Sequence, residues 1–211
     1  MCAGAYMGAQ LLGGILAGFS YFALIGKVFN LAPGAGFGWW EAMLVEVLYT
    51  FMLCFVVLNV AATKATEGNQ YYGLAIGFEI VAGGYAGGGV SGGAFNPAVA
   101  FGIDVPSAGL GFGWSFAYLA YELIGAALAA GLYRVVHPEE YSPGTTATLG
   151  VKCCSEFIGT FFLVLTVGLN VLGKSPAGAW SIAASLMCMI YALGAVSGAH
   201  FNPAVTLAIS D

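Results

Sequence analysis

Asn96 and Asn202 are the residues of this chain best placed to act on another molecule. Each opens an Asn-Pro-Ala tripeptide behind Phe and a run of small residues. The two stretches read Ser91-Gly92-Gly93-Ala94-Phe95-Asn96-Pro97-Ala98-Val99 and Ser197-Gly198-Ala199-His200-Phe201-Asn202-Pro203-Ala204-Val205. Proline suits the first position of a helix, where its missing N–H would lack a partner in any case. An asparagine just before it caps that helix and turns its amide outward. Each copy therefore predicts a short helix that presents an amide donor beside the positive end of the helix dipole. The chemistry on offer is hydrogen bonding to an oxygen and repulsion of cations. The sequence shows no nucleophile–base set, metal-ligand cluster or phosphate-binding loop followed by Lys, so an enzyme is not expected. The cysteines Cys2, Cys54, Cys153, Cys154 and Cys188 lie mostly in apolar segments without His at ligand spacing and read as small buried residues. The adjacent Cys153 and Cys154, near a membrane boundary, match a weak pattern for lipid modification.

The elements that must position these amides are membrane helices. Apolar residues make up 60% of the chain and charged residues 7%, with a mean hydropathy of +0.89, whereas a soluble domain carries roughly 25% charged residues. Ten acids against five bases give a net charge of −5, which excludes a nucleic-acid partner. No basic region precedes the first apolar run, so no cleavable signal is expected. A bilayer core of about 30 Å needs roughly 20 apolar residues as helix. Segments near 4–26, 41–62, 71–90, 114–136, 150–172 and 178–197 meet that need. Two shorter apolar stretches, 96–104 and 202–210, begin at the Asn-Pro steps and are half-helices, tolerated in lipid only where they line a cavity. Glycines four apart, at Gly4/Gly8, Gly14/Gly18, Gly83/Gly87 and Gly194/Gly198, predict close helix packing. The run Gly87-Gly88-Gly89 predicts a loosening of the chain before the first half-helix.

An internal repeat organises these parts. Val45-Glu46-Val47-Leu48-Tyr49-Thr50-Phe51 matches Ser155-Glu156-Phe157-Ile158-Gly159-Thr160-Phe161, with Glu and Thr four apart in both. Ala9-Gln10-Leu11-Leu12-Gly13-Gly14 likewise matches Tyr121-Glu122-Leu123-Ile124-Gly125-Ala126. Each unit holds three spans, an odd number, so consecutive units have opposite orientation and their half-helices enter from opposite faces.

Two Asn-Pro-Ala motifs in this setting make the whole chain resemble the aquaporin, or major intrinsic protein, family, in an aquaglyceroporin-like form. The resemblance implies an all-α membrane protein with six transmembrane helices and two re-entrant half-helices in an inverted repeat. It implies a single channel domain over 1–211, but in permuted order. Residues 1–136 match the family's helices three to six, 137–149 form a linker, and 150–211 match helices one and two with the first half-helix. A window cut from tandem modules and a circular permutant both produce that order, and the ending at Asp211 without a tail favours the window.

The family's function implies a passive, cofactor-free channel. Water and small neutral solutes such as glycerol, urea or ammonia would pass Asn96, Pro97, Ala98, Asn202, Pro203 and Ala204 at its centre. The lipid bilayer and a homotetramer, or neighbouring tandem modules, are the implied partners. A selectivity filter of four positions falls on Ile182, Gly84, Gly93 and Val99, the last where the family places an Arg. Such a filter is small, apolar and uncharged, which predicts a wider opening than strict water selection needs. Glu46 and Glu156 match the family's paired acids and are expected to be struts that hold the re-entrant loops. His200 is expected to fix its loop, and His137 lies in the linker, where a pH-sensing role has only its residue type in support. Glu79 and Glu122 match no common family residue. Glu79 lies five before Gly84, about 140° around the helix, facing away from the pore in a helix or subunit contact. With the linker inside, Arg134, Lys152 and Lys64 are cytoplasmic against Lys27 and Lys174 outside, which follows the positive-inside tendency. A secondary transporter of the same inverted-repeat type and a non-conducting structural membrane protein remain the alternatives.

Overall fold

The computed structural model describes residues 3–140, 147–172, 174–202 and 205. Among them the chain is all helix, with no strand. The α-helices are α1 (Ala3–Ile25), α2 (Trp39–Val57), α3 (Tyr72–Ser91), α4 (Pro97–Asp104), α5 (Ser115–Val136), α6 (Leu149–Leu172) and α7 (Gly178–Ser197). Five of them, α1, α2 with its continuation, α3, α5 and α7, are long and apolar enough to cross a membrane, and α6 runs for 24 residues. The six spans expected from the sequence are these six long helices. The eight residues of α4 rise about 12 Å, too little to cross a bilayer core of about 30 Å. This is the half-helix predicted at 96–104. Its counterpart at 202–210, with Pro203 and Ala204, lies almost wholly outside the described residues.

Large apolar side chains are exposed along α1, and several charged and polar side chains share the buried interior with apolar ones. Leu12, Leu16, Phe19 and Phe22 on α1 are exposed, while Glu46, Asn59, Glu79, Asp104 and Glu122 are buried. Lipid rather than water fits such a surface.

The chain divides into two compact units, Met1–Thr50 with Gly88–Gly125 and Phe51–Gly87 with Ala126–Asp211. In the first unit α4 lies along α1, and glycine permits the close approach. A Cβ on Gly14 would strike the Ala98 carbonyl, and one on Gly18 the Gly102 carbonyl. The small-residue spacing thus does its packing at Gly14/Gly18, whereas Gly8 and Gly194 face open space. The expected loosening at Gly87–Gly89 does not occur, because α3 continues to Ser91. The segment after α1 instead packs on this end of α3 through a glycine of its own, Gly34. A Cβ on Gly34 would strike the Gly89 carbonyl, and the Gly34 N–H donates to Val90 O at 2.8 Å.

Asp104 closes the far end of α4. Its carboxylate sits where helix carbonyls already concentrate negative charge, and it is held by two backbone donors, Leu31 N–H at 2.7 Å and Ser115 N–H at 2.8 Å. Gly113 leaves space for that carboxylate, which a Cβ there would contact. Asn30 adds a bond to Gly111 O at 2.6 Å and accepts one from Ser107 Oγ at 2.5 Å. Phe37, Trp39, Trp40, Phe112 and Trp114 are exposed in the adjoining segments, an aromatic group of the kind that settles at a membrane–water interface. Asp104→Ala is expected to destabilise the protein by about 2–4 kcal/mol, because it orphans two buried N–H donors. The midpoint of SDS-induced unfolding measures this.

The second unit pairs α6 with α7 through side-chain hydroxyls and amides. Thr166 Oγ1 donates to Ser185 Oγ at 3.2 Å, and Asn170 Nδ2 to Ser181 Oγ at 2.9 Å. Ser181 Oγ continues to Ala82 O on α3 at 2.8 Å, and Cys188 Sγ to Ala75 O at 3.0 Å. After Val57, α2 continues as a π-helical turn, Leu58–Ala62, where the Asn59 side chain donates to Phe55 O at 2.7 Å. The segment that follows is clasped by the end of α5. Thr63 Oγ1 and Tyr133 Oη lie 2.8 Å apart, His137 Nε2 is 2.6 Å from Asn59 Oδ1, and Lys64 Nζ is 3.5 Å from Glu140. His137 is thereby buried in a structural clasp.

Candidate functional site

The first motif is built on a backbone that turns its own N–H groups toward one carboxylate. Gly92, Gly93 and Phe95 have φ of 87°, 66° and 50°. A turn with left-handed residues on either side of Ala94 makes neighbouring amides converge into an anion-binding hollow. Glu46, fully buried on α2, fills it: Oε1 accepts from Ser91 Oγ at 2.6 Å and Ala94 N–H at 3.1 Å, and Oε2 from Phe95 N–H at 2.7 Å. Tyr118 Oη donates to Ser91 O at 2.5 Å and ties the end of α3 to α5.

Asn96 then leaves the hollow in an extended conformation, φ −159° and ψ 119°, as the cap of α4 with Pro97 in the first turn. Its Oδ1 accepts from Ala98 N–H at 2.9 Å, as the sequence predicted for a cap. With Oδ1 so engaged, the side chain keeps its two Nδ2 hydrogens for another partner. Asn96 is exposed, and with Gln10, Gly14, Ala98 and Val99 it lines a groove of about 500 Å³ along α1 and α4. The amide donor and the positive end of α4 therefore meet at an opening whose walls are mostly apolar.

The second motif repeats the strut in the other unit. Glu156 Oε1 accepts from Ser197 Oγ at 2.6 Å and His200 N–H at 3.0 Å, and Oε2 from Phe201 N–H at 2.7 Å. Gly198, Ala199 and Phe201 have φ of 95°, 51° and 50°, the same succession of left-handed residues. Asn202 is exposed; its cap geometry would involve residues outside the described set. The ring of His200 lies against Gly198, where a Cβ would come within 3.1 Å of Nε2.

The four residues that the resemblance implies for a constriction fall two to each unit. Val99 is 43% exposed in the groove beside Asn96, and Gly93 is half-buried in the loop. Gly84 is exposed on α3 and Ile182 half-buried on α7. Glu79 is fully buried on the α3 face that carries Ala75 and Ala82, both of whose carbonyls accept from α7.

Of two acids of the first unit, sequence reasoning passed over Asp104 and left Glu122 without a role. Asp104 anchors the end of α4, and Glu122 on α5 accepts the Asn96 N–H through Oε1 at 2.9 Å. The one signal for Glu122 was its repeat partner, since Gln10 at the matched position lines the groove.

The profile of the family described as Major intrinsic protein matches residues 1–133 and 144–210. Curated relatives include an aquaporin AqpM of Methanothermobacter thermautotrophicus, 33% identical over 147 residues, covering 64% of this chain and 58% of the relative. A probable aquaporin TIP3-2 of Oryza sativa subsp. japonica is 34% identical over 155 residues, 72% of this chain and 57% of the relative. Aquaporin-8 of Rattus norvegicus is 30% identical over 206 residues, 85% of this chain and 75% of the relative. The chain thus spans little more than half the length of the first two. No solved structure matches it.

Proposed function

Because the chain belongs to the major intrinsic protein family, we propose that it is a passive channel for water and small neutral solutes such as glycerol, urea or ammonia. Family membership and its five long apolar helices make it an integral, multi-pass membrane protein. The observation that carries the channel reading is Asn96, whose amide is capped on its oxygen side and left with its donor side in an apolar-walled groove. A solute oxygen leaving bulk water loses hydrogen bonds, and Asn96 and Asn202 would replace them while the positive ends of the two half-helices repel cations.

The filter reading rests on Ile182, Gly84, Gly93 and Val99. None of the four carries charge or a side-chain donor, which favours passage of solutes wider than water. The permuted order of segments is part of this reading and rests on the likeness of 1–136 to the family's helices three to six and of 150–211 to helices one and two. Assembly as a homotetramer or as tandem modules belongs to the same proposal.

Stopped-flow light scattering on liposomes containing the chain tests this, first with an impermeant osmolyte and then with glycerol, urea and ammonia gradients. Flux above empty liposomes that Asn96→Trp or Asn202→Trp removes is the expected result. Val99→Arg is expected to lower glycerol permeability about ten-fold, equivalent to about 1.4 kcal/mol of barrier, while water flux persists. A folded chain without flux would mean a non-conducting member, and flux that requires an ion gradient would mean a transporter.

A further inference from the structure

We propose that Glu122 is a positioning residue for solute passage: by accepting the Asn96 N–H from α5, it fixes the direction in which the Asn96 amide is offered. The inference rests on the channel reading above and names a specificity-determining residue within it.

The backbone itself creates the need for Glu122. The left-handed residues Gly92, Gly93 and Phe95 turn the Ala94 and Phe95 N–H groups toward Glu46. Asn96 follows in an extended conformation, φ −159°, so its N–H leaves the hollow and requires a second acceptor on a different helix. Glu122 Oε1 supplies it at 2.9 Å. The other handles of Asn96 are also occupied: Oδ1 accepts from Ala98 N–H, and its carbonyl accepts from Val99 N–H at 3.0 Å and Ala100 N–H at 3.1 Å. Only the Nδ2 donors remain, and their aim follows from the backbone that Glu122 holds.

Glu122 is 1% exposed, and its Oε2 is buried without a hydrogen-bond partner among the described residues. A buried polar oxygen left unpaired is unfavourable, so packing alone does not explain a carboxyl group at this place. Apolar side chains would fill the same volume without it. The bond from Asn96 N–H to Oε1 is the hydrogen bond that the Glu122 carboxyl group makes among the described residues.

The test separates the position of the acceptor from the charge of the side chain. Glu122→Gln keeps a carbonyl oxygen at the same reach. Glu122→Asp keeps the carboxylate but withdraws it by one C–C bond, about 1.5 Å. Two readouts do not depend on how many channels insert: the glycerol-to-water permeability ratio and the Arrhenius activation energy of water flux. Glu122→Asp is expected to change the ratio about ten-fold, the equivalent of one orphaned hydrogen bond, and to raise the activation energy. Glu122→Gln is expected to match the unsubstituted protein in both. If Glu122→Gln shifts and Glu122→Asp does not, charge rather than position is at work and the proposal falls. It falls equally if neither variant changes the ratio or the activation energy.

Amide hydrogen exchange in nanodiscs keeps the test independent of conduction. About ten-fold faster exchange at Asn96 N–H in Glu122→Asp, but not in Glu122→Gln, is expected whether or not the protein conducts. An unsubstituted protein that shows no flux would overturn the channel reading, and unchanged Asn96 exchange in Glu122→Asp would overturn the role of Glu122.

Discussion

Glu46→Ala is expected to abolish permeability and to destabilise the protein by about 3–5 kcal/mol, because it orphans three buried donors at about 1–3 kcal/mol each, partly relieved by relaxation. Three donors converge on the Glu46 carboxylate, from Ser91 Oγ, Ala94 N–H and Phe95 N–H, and all three belong to buried residues. The backbone that aims them is itself unfavourable. Phe95 holds φ 50°, a conformation that costs a residue with a Cβ about 1–2 kcal/mol. Without the carboxylate, the bonds that hold Ala94 and Phe95 against that strain are lost, and the loop relaxes away from the geometry that presents Asn96. Glu46→Gln does not rescue it, because one oxygen cannot serve three donors and the new –NH₂ group confronts an N–H of the loop. Glu156→Ala removes a matching set of bonds, but Glu156 is only half-buried. Water can replace part of what is lost there, so the expected cost is smaller, about 1–2 kcal/mol. Flux by stopped flow and the SDS unfolding midpoint measure both effects. A Glu46→Ala protein that conducts normally would show that the loop holds itself.

The same contrast explains how much of the molecule the sequence reveals. A helix in lipid must be apolar along its whole length, so the spans read off hydropathy agree with α1, α2, α3, α5, α6 and α7 to within a few residues. The π-helical turn Leu58–Ala62 falls inside the predicted span 41–62, because hydropathy does not register which carbonyl a backbone N–H chooses. The cap at Asn96 was legible because Asn-Pro is a local signal with a local cause. The strut reading of Glu46 and Glu156 came from the family resemblance, and their carboxylates accept from Phe95 N–H and Phe201 N–H respectively. Asp104 and Glu122 left no comparable trace. Their partners are backbone N–H groups distant in sequence, at Leu31 and Ser115 for one and Asn96 for the other, and such an acceptor needs no particular residue type opposite it. Gly87–Gly89 misled for a related reason. Glycine in a helix weakens it in isolation, yet α3 continues through these residues to Ser91, where the Gly34 N–H donates to Val90 O from a segment distant in sequence.

Gly14→Ala and Gly18→Ala are each expected to reduce flux to that of empty liposomes and to destabilise the protein by about 1–3 kcal/mol, the range for overpacking a well-filled site. The contact they break is between backbones. A methyl on Gly14 strikes the Ala98 carbonyl, in the first turn of α4, and one on Gly18 strikes the Gly102 carbonyl and comes within 2.6 Å of Pro106 Cγ. Gly102 reciprocates, since a Cβ there would lie 2.7 Å from the Gly14 carbonyl. No rotamer change relieves a clash with a carbonyl, so α1 and α4 must separate. The consequence reaches the site because α4 starts at Asn96: moving its first turn moves the Asn96 cap and widens the groove beside Val99. Gly8→Ala on the same helix is the control, for its added methyl meets nothing. Alanine gains about 1 kcal/mol over glycine in a helix interior, so that variant is expected to conduct normally and to unfold at a higher SDS fraction. Equal effects at Gly8, Gly14 and Gly18 would mean that helix propensity, not the α1–α4 contact, governs the result. Loss confined to Gly14 and Gly18 would tie solute passage to the seating of α4.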